Sequence, residues 1–406
     1  MPKYVYTVQD AQGTASTGVL EAGDEDQAIL TLQNKGYFIL SIQLEAEKSM
    51  GGFKKAGAGG KVNGQTLAFF SEQLATLLAG GVPLVRALSL LGEHNSDRNL
   101  SAVLGEVSKE VSAGGALYKA LEKHPKTFDT IWVSLVQAGE MGGQLPLALR
   151  QIADYTQKQE GLKGKIITAI AYPSVLLVMS LGVLAYFVVY IVPVFAGIFR
   201  DFNLKLPAVT AVVVAMSDMV VNNLAMLLLA LIGIVVGFKF WISTEAGLMS
   251  WNRTTMSMPV FGKFVSNVIY ERLLTTMGTL IQSGVSILNT ITVLEGSFNK
   301  NLIVQKALRD VKNEVASGKS ISVAFKNTGI FPSLVTEMMW MGEESGKLPD
   351  IIKTLSGFYS EQINQFIARF SSMIDPILIV GIGGIIAVIV MSVFMPIFQL
   401  SQISGK

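Results

Sequence analysis

VQAGEMGGQLPLAL, at residues 136–149, returns as MWMGEESGKLPDII at residues 339–352, and this duplication decides the fold. In each copy a Gly-Glu pair is followed by a further glycine and then by Leu-Pro, which suits the first turn of a helix. We therefore predict a turn between two helices in both copies. The motif consists of Gly139, Glu140 and Gly143 in the first copy and of Gly342, Glu343 and Gly346 in the second.

Two further stretches repeat at nearly the same offset of about 203 residues. LLAGGVPLVRAL at 77–88 corresponds to LIQSGVSILNTI at 280–291, and EVSAGGALYKALEK at 110–123 corresponds to EVASGKSISVAFKN at 314–327. Apolar residues recur with a helical period, and glycines stand where helices would end. The chain is therefore predicted to contain two homologous modules, each a bundle of about six helices. The first pair of turns contains Gly81, Val82 and Pro83 in one copy and Gly284 and Val285 in the other.

Three apolar stretches, residues 166–199, 224–242 and 373–398, are long enough to cross a bilayer, which takes about 20 helical residues. The first and third belong to the repeat, because Pro173 and Pro193 align with Pro376 and Pro396. The second has no counterpart, and it would return the chain so that both modules lie on the same side. We predict three transmembrane helices.

Lysine and arginine residues near these segments indicate the orientation. Lys163 and Lys165 precede the first segment and Arg369 precedes the third, whereas the connection between the first two segments holds only Arg200 and Lys205. The positive-inside rule therefore places the N-terminus and both modules in the cytoplasm. It places the C-terminus in the periplasm or outside.

Small residues inside the spans are candidates for close helix packing in the lipid. Gly233 and Gly237 form a GxxxG pair in the second span, and Gly383 and Ala387 form a similar pair in the third. The alternative is that membrane helices simply tolerate glycine. The prolines of the repeat lie near the ends of their spans, where a missing amide costs less than in the middle.

The first 45 residues have a different pattern. Alternating apolar residues predict strands around Tyr4–Val8, Gly18–Leu20 and Tyr37–Ile42, and a helix is predicted over Asp24–Lys35. The fold class is therefore mainly α, with a small N-terminal α+β appendage. The predicted order is appendage 1–45, flexible linker 46–64, first cytoplasmic module 65–165, first span 166–199, outer connection 200–223, second span 224–242, second cytoplasmic module 243–372, third span 373–398 and outer tail 399–406.

Composition excludes several classes of function. The 406 residues carry a net charge of +2 without a basic stripe, which argues against binding of nucleic acid. The chain has no cysteine and only His94 and His124 as histidines, so thiolate chemistry is impossible and a zinc site would need carboxylates. Gly318-Lys319-Ser320 lacks the first glycine and the preceding strand of a phosphate-binding loop. We predict no enzyme activity, cofactor or metal.

Glu140 and Glu343 are the polar residues most open to a special role. One interpretation is a turn carboxylate held near a helix N-terminus by free amides and the helix dipole. The other is a contact with a cytoplasmic partner, or a weak site for a hard cation.

The paired GGVPL/SGVSI and AGEMGGQL/MGEESGKL motifs, each followed by a helix and a YP- or DP-led span, resemble the GspF/PilC family of inner-membrane platform proteins. The resemblance covers essentially the whole chain. It differs at Ser286, where the first copy has Pro83, and at Asp375, where the first copy has Tyr172, so the two modules need not bind the same partner.

The resemblance implies a non-catalytic platform in the bacterial inner membrane, for a type IV pilus or a type II secretion system. Its implied partners are a cytoplasmic hexameric assembly ATPase, pilin or pseudopilin subunits, other inner-membrane assembly proteins, further copies of itself and the lipid bilayer. The alternative from another class is a polytopic transporter or channel component, but no ionisable residue lies deep in any span.

Overall fold

The computed structural model describes residues 3–9, 15–22, 27, 29, 31–32, 38–44, 60–194, 197 and 208–404, in two compact units divided near residue 57. Most of the predicted linker, residues 46–59, lies outside the described residues. Of the helix predicted over Asp24–Lys35, the described residues are Gln27, Ile29, Thr31 and Leu32, and they are helical.

The N-terminal unit contains a sheet of three antiparallel strands in the order β2-β1-β3. The strands are β1 (Lys3–Gln9), β2 (Ala15–Glu21) and β3 (Phe38–Leu44). Tyr4 pairs with Leu20 on one side and with Leu44 on the other. Aromatic and β-branched residues favour such pairing. The predicted α+β appendage is confirmed.

The larger unit begins with a bundle of six helices, here called the first bundle. They are α1 (Gly64–Ala79), α2 (Leu84–Glu93), α3 (Arg98–Ser112), α4 (Leu117–Glu122), α5 (Thr130–Met141) and α6 (Leu145–Tyr186). Side chains cap the helix starts: Asn63 accepts the amide of Gln65, and Asp129 accepts the amide of Trp132 at 2.9 Å. Gly81 follows the end of α1, in the turn to α2. Its φ of 82° is the left-handed conformation that glycine adopts without strain.

Two apolar helices follow, α7 (Ala208–Asn222) and α8 (Leu224–Ser243). The helix α8 matches the predicted second span. The sequence did not predict α7, which lies within the predicted outer connection. Its Val213 and Val214 are buried beside Val192, and the Ser217 hydroxyl donates to the Val188 carbonyl, so α7 packs against the end of the first span.

The chain then forms the second bundle. It contains α9 (Glu245–Ser257), α10 (Phe261–Gln282), α11 (Ile287–Ser297), α12 (Leu302–Ala316), α13 (Ile321–Asn327), α14 (Ser333–Glu344) and α15 (Leu348–Ser404). The helices α10 to α15 repeat α1 to α6, and α9 is an addition. The two homologous helical bundles predicted from the repeat are therefore confirmed.

Each bundle has its own apolar core. Phe70, Phe128 and Trp132 cluster in the first, with the Phe128 and Trp132 rings 4.8 Å apart. Phe325 and Phe331, also 4.8 Å apart, lie in the second. Burying aromatic side chains of this size contributes much of the free energy that holds such bundles together.

The last helix of each bundle continues without a break into a membrane span. Among the described residues three helices are long and apolar enough to cross a bilayer, within Leu145–Val194, Ala225–Ser243 and Leu348–Val388. The prediction of three transmembrane helices is thus confirmed. Pro173 lies inside α6, and a π-helical turn at Phe187–Ile191 precedes Pro193. A wider turn there accommodates a proline ring that clashes with the carbonyl four residues earlier.

The residues predicted as an outer tail, 399–406, are helical up to Ser404 and continue the third span. The helix α15 passes through Pro376 and Pro396 before it ends. The polar residues after Phe398 indicated the end of the span, but a helix that has already formed extends at little cost through residues without a helix-breaking signal.

The small pairs within the spans make no close contact with the residues that the structure describes. A side chain added at Gly233, Gly237 or Gly383 would meet no described atom within 4 Å. Ala387 is exposed. A packing role for these residues therefore stays a prediction that concerns other molecules in the membrane.

Candidate functional site

The glycine of each Gly-Glu motif lies where two helices approach closely. A Cβ built on Gly139 would lie 2.4 Å from the Cβ of Ala148, and one on Gly342 would lie 3.0 Å from the Cα of Leu348. The first distance is shorter than real contacts between carbon atoms, and the second is tighter than most of them. Glycine therefore lets α5 pack on α6, and α14 on α15, at the turn that joins each pair.

The Glu140 carboxylate binds the start of a helix that lies earlier in the chain. Its Oε1 accepts the amide of Leu117 at 2.7 Å and its Oε2 accepts the amide of Tyr118 at 3.0 Å. These two residues open α4, whose first amides have no partners within the helix. The carboxylate thus ties α5 to α4 and complements the helix dipole.

Glu343 does the same for α13, with more bonds. It accepts the amides of Ile321 at 3.1 Å and Ser322 at 3.3 Å, and the hydroxyls of Ser320 at 2.7 Å and Ser322 at 2.8 Å. Partial burial raises the pKa of Glu343, but these four hydrogen bonds stabilise the anion and leave its pKa below the usual range. Glu140 and Glu343 lie in the last turns of α5 and α14, and each caps a helix about 20 residues earlier in the chain, not the helix that follows its own turn.

The exposed part of each motif lies at the end of the bundle farthest from the spans. Gly143 and Gly346 adopt φ values of 66° and 68°, and the side chains of Met141, Gln144 and Lys347 are exposed. The helix α6 runs from this turn to the first apolar segment through some 20 residues, which corresponds to about 30 Å. We call the turns at residues 141–144 and 344–347 the distal turns.

The other pair of predicted turns has two different environments. Gly81 and Pro83 are exposed at the surface of the first bundle, and Val82 packs against that bundle's core. Val285, the counterpart of Val82, packs against the first bundle's core as well, so the turn at Gly284 lies between the bundles. The two copies of this turn motif therefore differ in environment: the first is at the surface and the second lies between the bundles. This difference agrees with the expectation that the two modules need not bind the same partner.

The contact between the bundles involves residues that the motifs did not reveal. Leu280 and Val293 of the second bundle are buried in the core of the first. Hydrogen bonds join Tyr155 to Thr276, at 3.2 Å between oxygens, and Ser283 to Gln151. A difference in polarity between the two copies could have indicated this contact. At Leu280 and Val293 there is none, because the corresponding residues of the first copy, Leu77 and Leu90, are also apolar.

Beside this contact lies a buried carboxyl group. Glu271 accepts a hydrogen bond from Thr275 at 2.9 Å through Oε1, while its Oε2 has no hydrogen-bond partner among the described residues. Burial raises the pKa of Glu271, against the opposing effects of the Thr275 hydrogen bond and of Lys158 and Arg272.

Within the spans, α6, α7 and α15 enclose an apolar groove of about 780 Å³. The glycines that line this groove are Gly381 and Gly384, whereas the glycine predicted from the sequence to pack against another helix is Gly383. The groove shows that the first and third spans run side by side, because residues 181–189 face residues 380–388. Lys165 also donates to Asn364 at 3.0 Å, so the two helices are parallel.

Among the described residues, no group of three His, Cys, Asp or Glu side chains could hold a metal ion. The carboxylates of the motifs are occupied by amide and hydroxyl donors of their own bundle.

Comparison with known protein families finds the same duplication. The family described as "Type II secretion system (T2SS), protein F" matches residues 70–193 and again residues 273–396, and the N-terminal domain family of the same protein matches residues 1–43. The two matched segments contain the two copies of each repeated motif.

Relatives align along nearly the whole chain. The type IV pilus assembly protein PilC of Myxococcus xanthus is 31% identical over 98% of this chain and 95% of that protein, and PilC of Thermus thermophilus is 31% identical over 98% of both. The type II secretion system protein F of Pseudomonas aeruginosa is 27% identical over 100% of both. The chain therefore belongs to the type II secretion system protein F family.

Proposed function

We propose that this chain is the inner-membrane platform of a type IV pilus or type II secretion machine, and that it has no catalytic activity of its own. In this role it couples a cytoplasmic hexameric ATPase to the insertion of pilin or pseudopilin subunits into a fibre. The observation that carries the proposal is the architecture of the chain: two bundles, each continuous with a membrane span, match twice a family whose members are named for these machines.

The mechanical argument rests on helix continuity. A force applied to a bundle passes into the bilayer along α6 or α15, because neither helix has a loop between bundle and span. The contact through Tyr155 and Thr276 links the two bundles, so that both can move together. The lysines that flank the spans favour bundles in the cytoplasm and a C-terminus in the periplasm.

The direct test uses the full-length chain, extracted from membranes in mild detergent together with the assembly ATPase of the same organism. We expect the two proteins to co-purify, and we expect cells without this chain to lack the fibre while still making pilin. Normal fibres in cells that lack the chain would contradict the proposal. So would ATP hydrolysis by the purified chain alone.

The distal turns are our proposed contact for the ATPase, because they are exposed and lie farthest from the membrane. We expect Lys347→Glu to reduce co-purification roughly tenfold, since it reverses a charge in the contact. The measurement is the ATPase retained per mole of tagged chain. The matched control is Lys263→Glu, which makes the same change on the exposed surface of α10 near the third span.

Equal retention by the two charge-reversal variants would mean that the contact lies elsewhere. The ATPase would then have to bind a surface of the bundles closer to the membrane.

A further inference from the structure

The two bundles of this chain contact each other through different faces. The first contributes α5 and α6, and the second contributes α10 and α11, which are the counterparts of α1 and α2, while α15 runs along α6. The contact is therefore heterologous, or head to tail, because it joins two different surfaces of the repeated bundle. We call the surface on α5 and α6 the receiving face and the surface on α10 and α11 the inserting face. Such a contact always leaves one copy of each surface unused, and repeating it generates a ring or an open array.

The receiving face of the first bundle is covered. Ile131 and Leu135 on α5 are 1% and 0% exposed, Ala138 is half-buried, and Tyr155 on α6 is buried against Thr276. The three α5 residues lie one helical turn apart, so they form one stripe.

The same positions in the second bundle are open. Leu334 is 43% exposed, Met341 57% and Phe358 44%, and Met338 is only partly buried. All four are apolar. We call them the free receiving face: Leu334, Met338, Met341 and Phe358.

The inserting face shows the reverse difference. Leu280 and Val293 of the second bundle are 0% and 7% exposed because they enter the core of the first. Their counterparts in the first bundle are Leu77, which is partly buried, and Leu90, which is 42% exposed. Phe69, two turns before Leu77 on α1, extends the apolar surface and is 64% exposed. We call Phe69, Leu77 and Leu90 the free inserting face.

Opposite charges border the two free faces. Arg86 lies one turn before Leu90 on α2, and Glu337 lies one turn before Met341 on α14. Neither makes an ion pair with a described residue. Their counterparts at the occupied faces, Asn289 and Ser134, are uncharged. The free faces are therefore bordered by opposite charges at two positions that are uncharged in the internal contact.

The membrane does not prevent a repeat of this contact. The helices α6 and α15 are parallel and adjacent, as the bond between Lys165 and Asn364 and the groove between residues 181–189 and 380–388 show together. A further bundle added through the same contact keeps its span in the same bilayer and in the same direction.

From these observations we propose that a second copy of this chain docks its free inserting face, on the first bundle, against the free receiving face on the second bundle of its neighbour. The docked copy then occupies the receiving face that the internal contact leaves open. The inference concerns self-association only, and it does not depend on the proposed contact with an ATPase.

The test uses the natural absence of cysteine in this chain. Two differently tagged full-length copies are co-expressed, one with Leu90→Cys and the other with Met341→Cys, and the membranes are treated with a short bismaleimide. We expect a linked dimer that carries both tags. Copies that both carry Leu90→Cys are expected to give no dimer, because a head-to-tail contact does not bring equal faces together.

The internal contact supplies the positive control, since Ala138→Cys with Val293→Cys in one chain places cysteines at the equivalent positions. If that pair is cross-linked while Leu90→Cys and Met341→Cys are not, the proposal is wrong. It is also wrong if Leu90 links to Leu90 of another copy, which would show a symmetric contact.

Charge exchange gives an independent readout. Arg86→Glu and Glu337→Arg, each made in all copies, are expected to lower the yield of linked dimer roughly fivefold, and the double exchange is expected to restore it. A double exchange that stays as low as the single variants would contradict the pairing of these two faces. Retention of the ATPase by the same variants distinguishes this failure from failure of the proposed function.

Discussion

Replacing Gly139 with alanine lowers the melting temperature of the full-length protein, although alanine is the better helix former. The added Cβ would lie 2.4 Å from the Cβ of Ala148 and 3.3 Å from the Cα of Leu145, so α5 and α6 must separate. Overpacking of this kind costs about 1–3 kcal/mol. Thermal unfolding in detergent, followed by the fluorescence of the buried Trp132, measures the effect.

The matched control is the same substitution at Gly105, an exposed position within α3 where an added Cβ would meet no described atom within 4 Å. There alanine is expected to stabilise the protein by up to about 1 kcal/mol, through helix propensity alone. Adding Ala148→Gly to Gly139→Ala removes the clashing methyl group and should recover part of the loss. Stabilisation by Gly139→Ala alone would show that the two helices do not approach as described.

Glu343→Gln is expected to destabilise the second bundle by about 1–3 kcal/mol at neutral pH, because the anion accepts four hydrogen bonds and an amide group replaces one acceptor with a donor. The control is Glu344→Gln, the adjacent exposed residue, which should change stability by less than about 0.5 kcal/mol. The measurement is again thermal unfolding of the full-length chain.

The pH dependence of this difference has a definite sign. The pKa of Glu343 is lower in the folded protein than in the unfolded chain, where it is about 4.3. The unfolded chain therefore binds more protons as the pH falls, and the stabilisation by Glu343 is complete above about pH 5 and is lost as the pH falls through the folded pKa. Wild type and Glu343→Gln should converge in acid. A gap that widens on acidification would contradict the hydrogen-bond geometry.

The duplicated sequence was sufficient to predict the two bundles and the spans continuous with them. Glycine at positions such as 81 and 284 marked the helix ends, and both adopt a φ of 82° in the structure. The long apolar runs marked the spans, because spacing and composition are local properties of the chain. The interpretation of Glu140 and Glu343 as carboxylates near a helix N-terminus also came from local pattern.

What could not be predicted depends on contacts between distant parts of the chain. The motif did not show that Glu140 caps α4, since the partner is chosen by packing and not by spacing. Nor did it show that α7 packs on the first span, because its many β-branched residues are also compatible with an extended connection. The pairing of Tyr155 with Thr276 was hidden for the same reason.

Our central proposal is that the two bundle-plus-span units, which stand side by side, have both bundles on the cytoplasmic side. Single cysteines at Ser96 in the first bundle, Lys300 in the second and Asn222 at the end of α7 test it, since all three positions are exposed and the chain has no cysteine of its own.

The measurement is labelling with a membrane-impermeant maleimide in spheroplasts, before and after the membrane is opened. We predict that Asn222→Cys reacts at once, and that Ser96→Cys and Lys300→Cys react only after opening. Labelling of just one of the two bundle positions in intact spheroplasts would place the bundles on opposite sides and contradict the account.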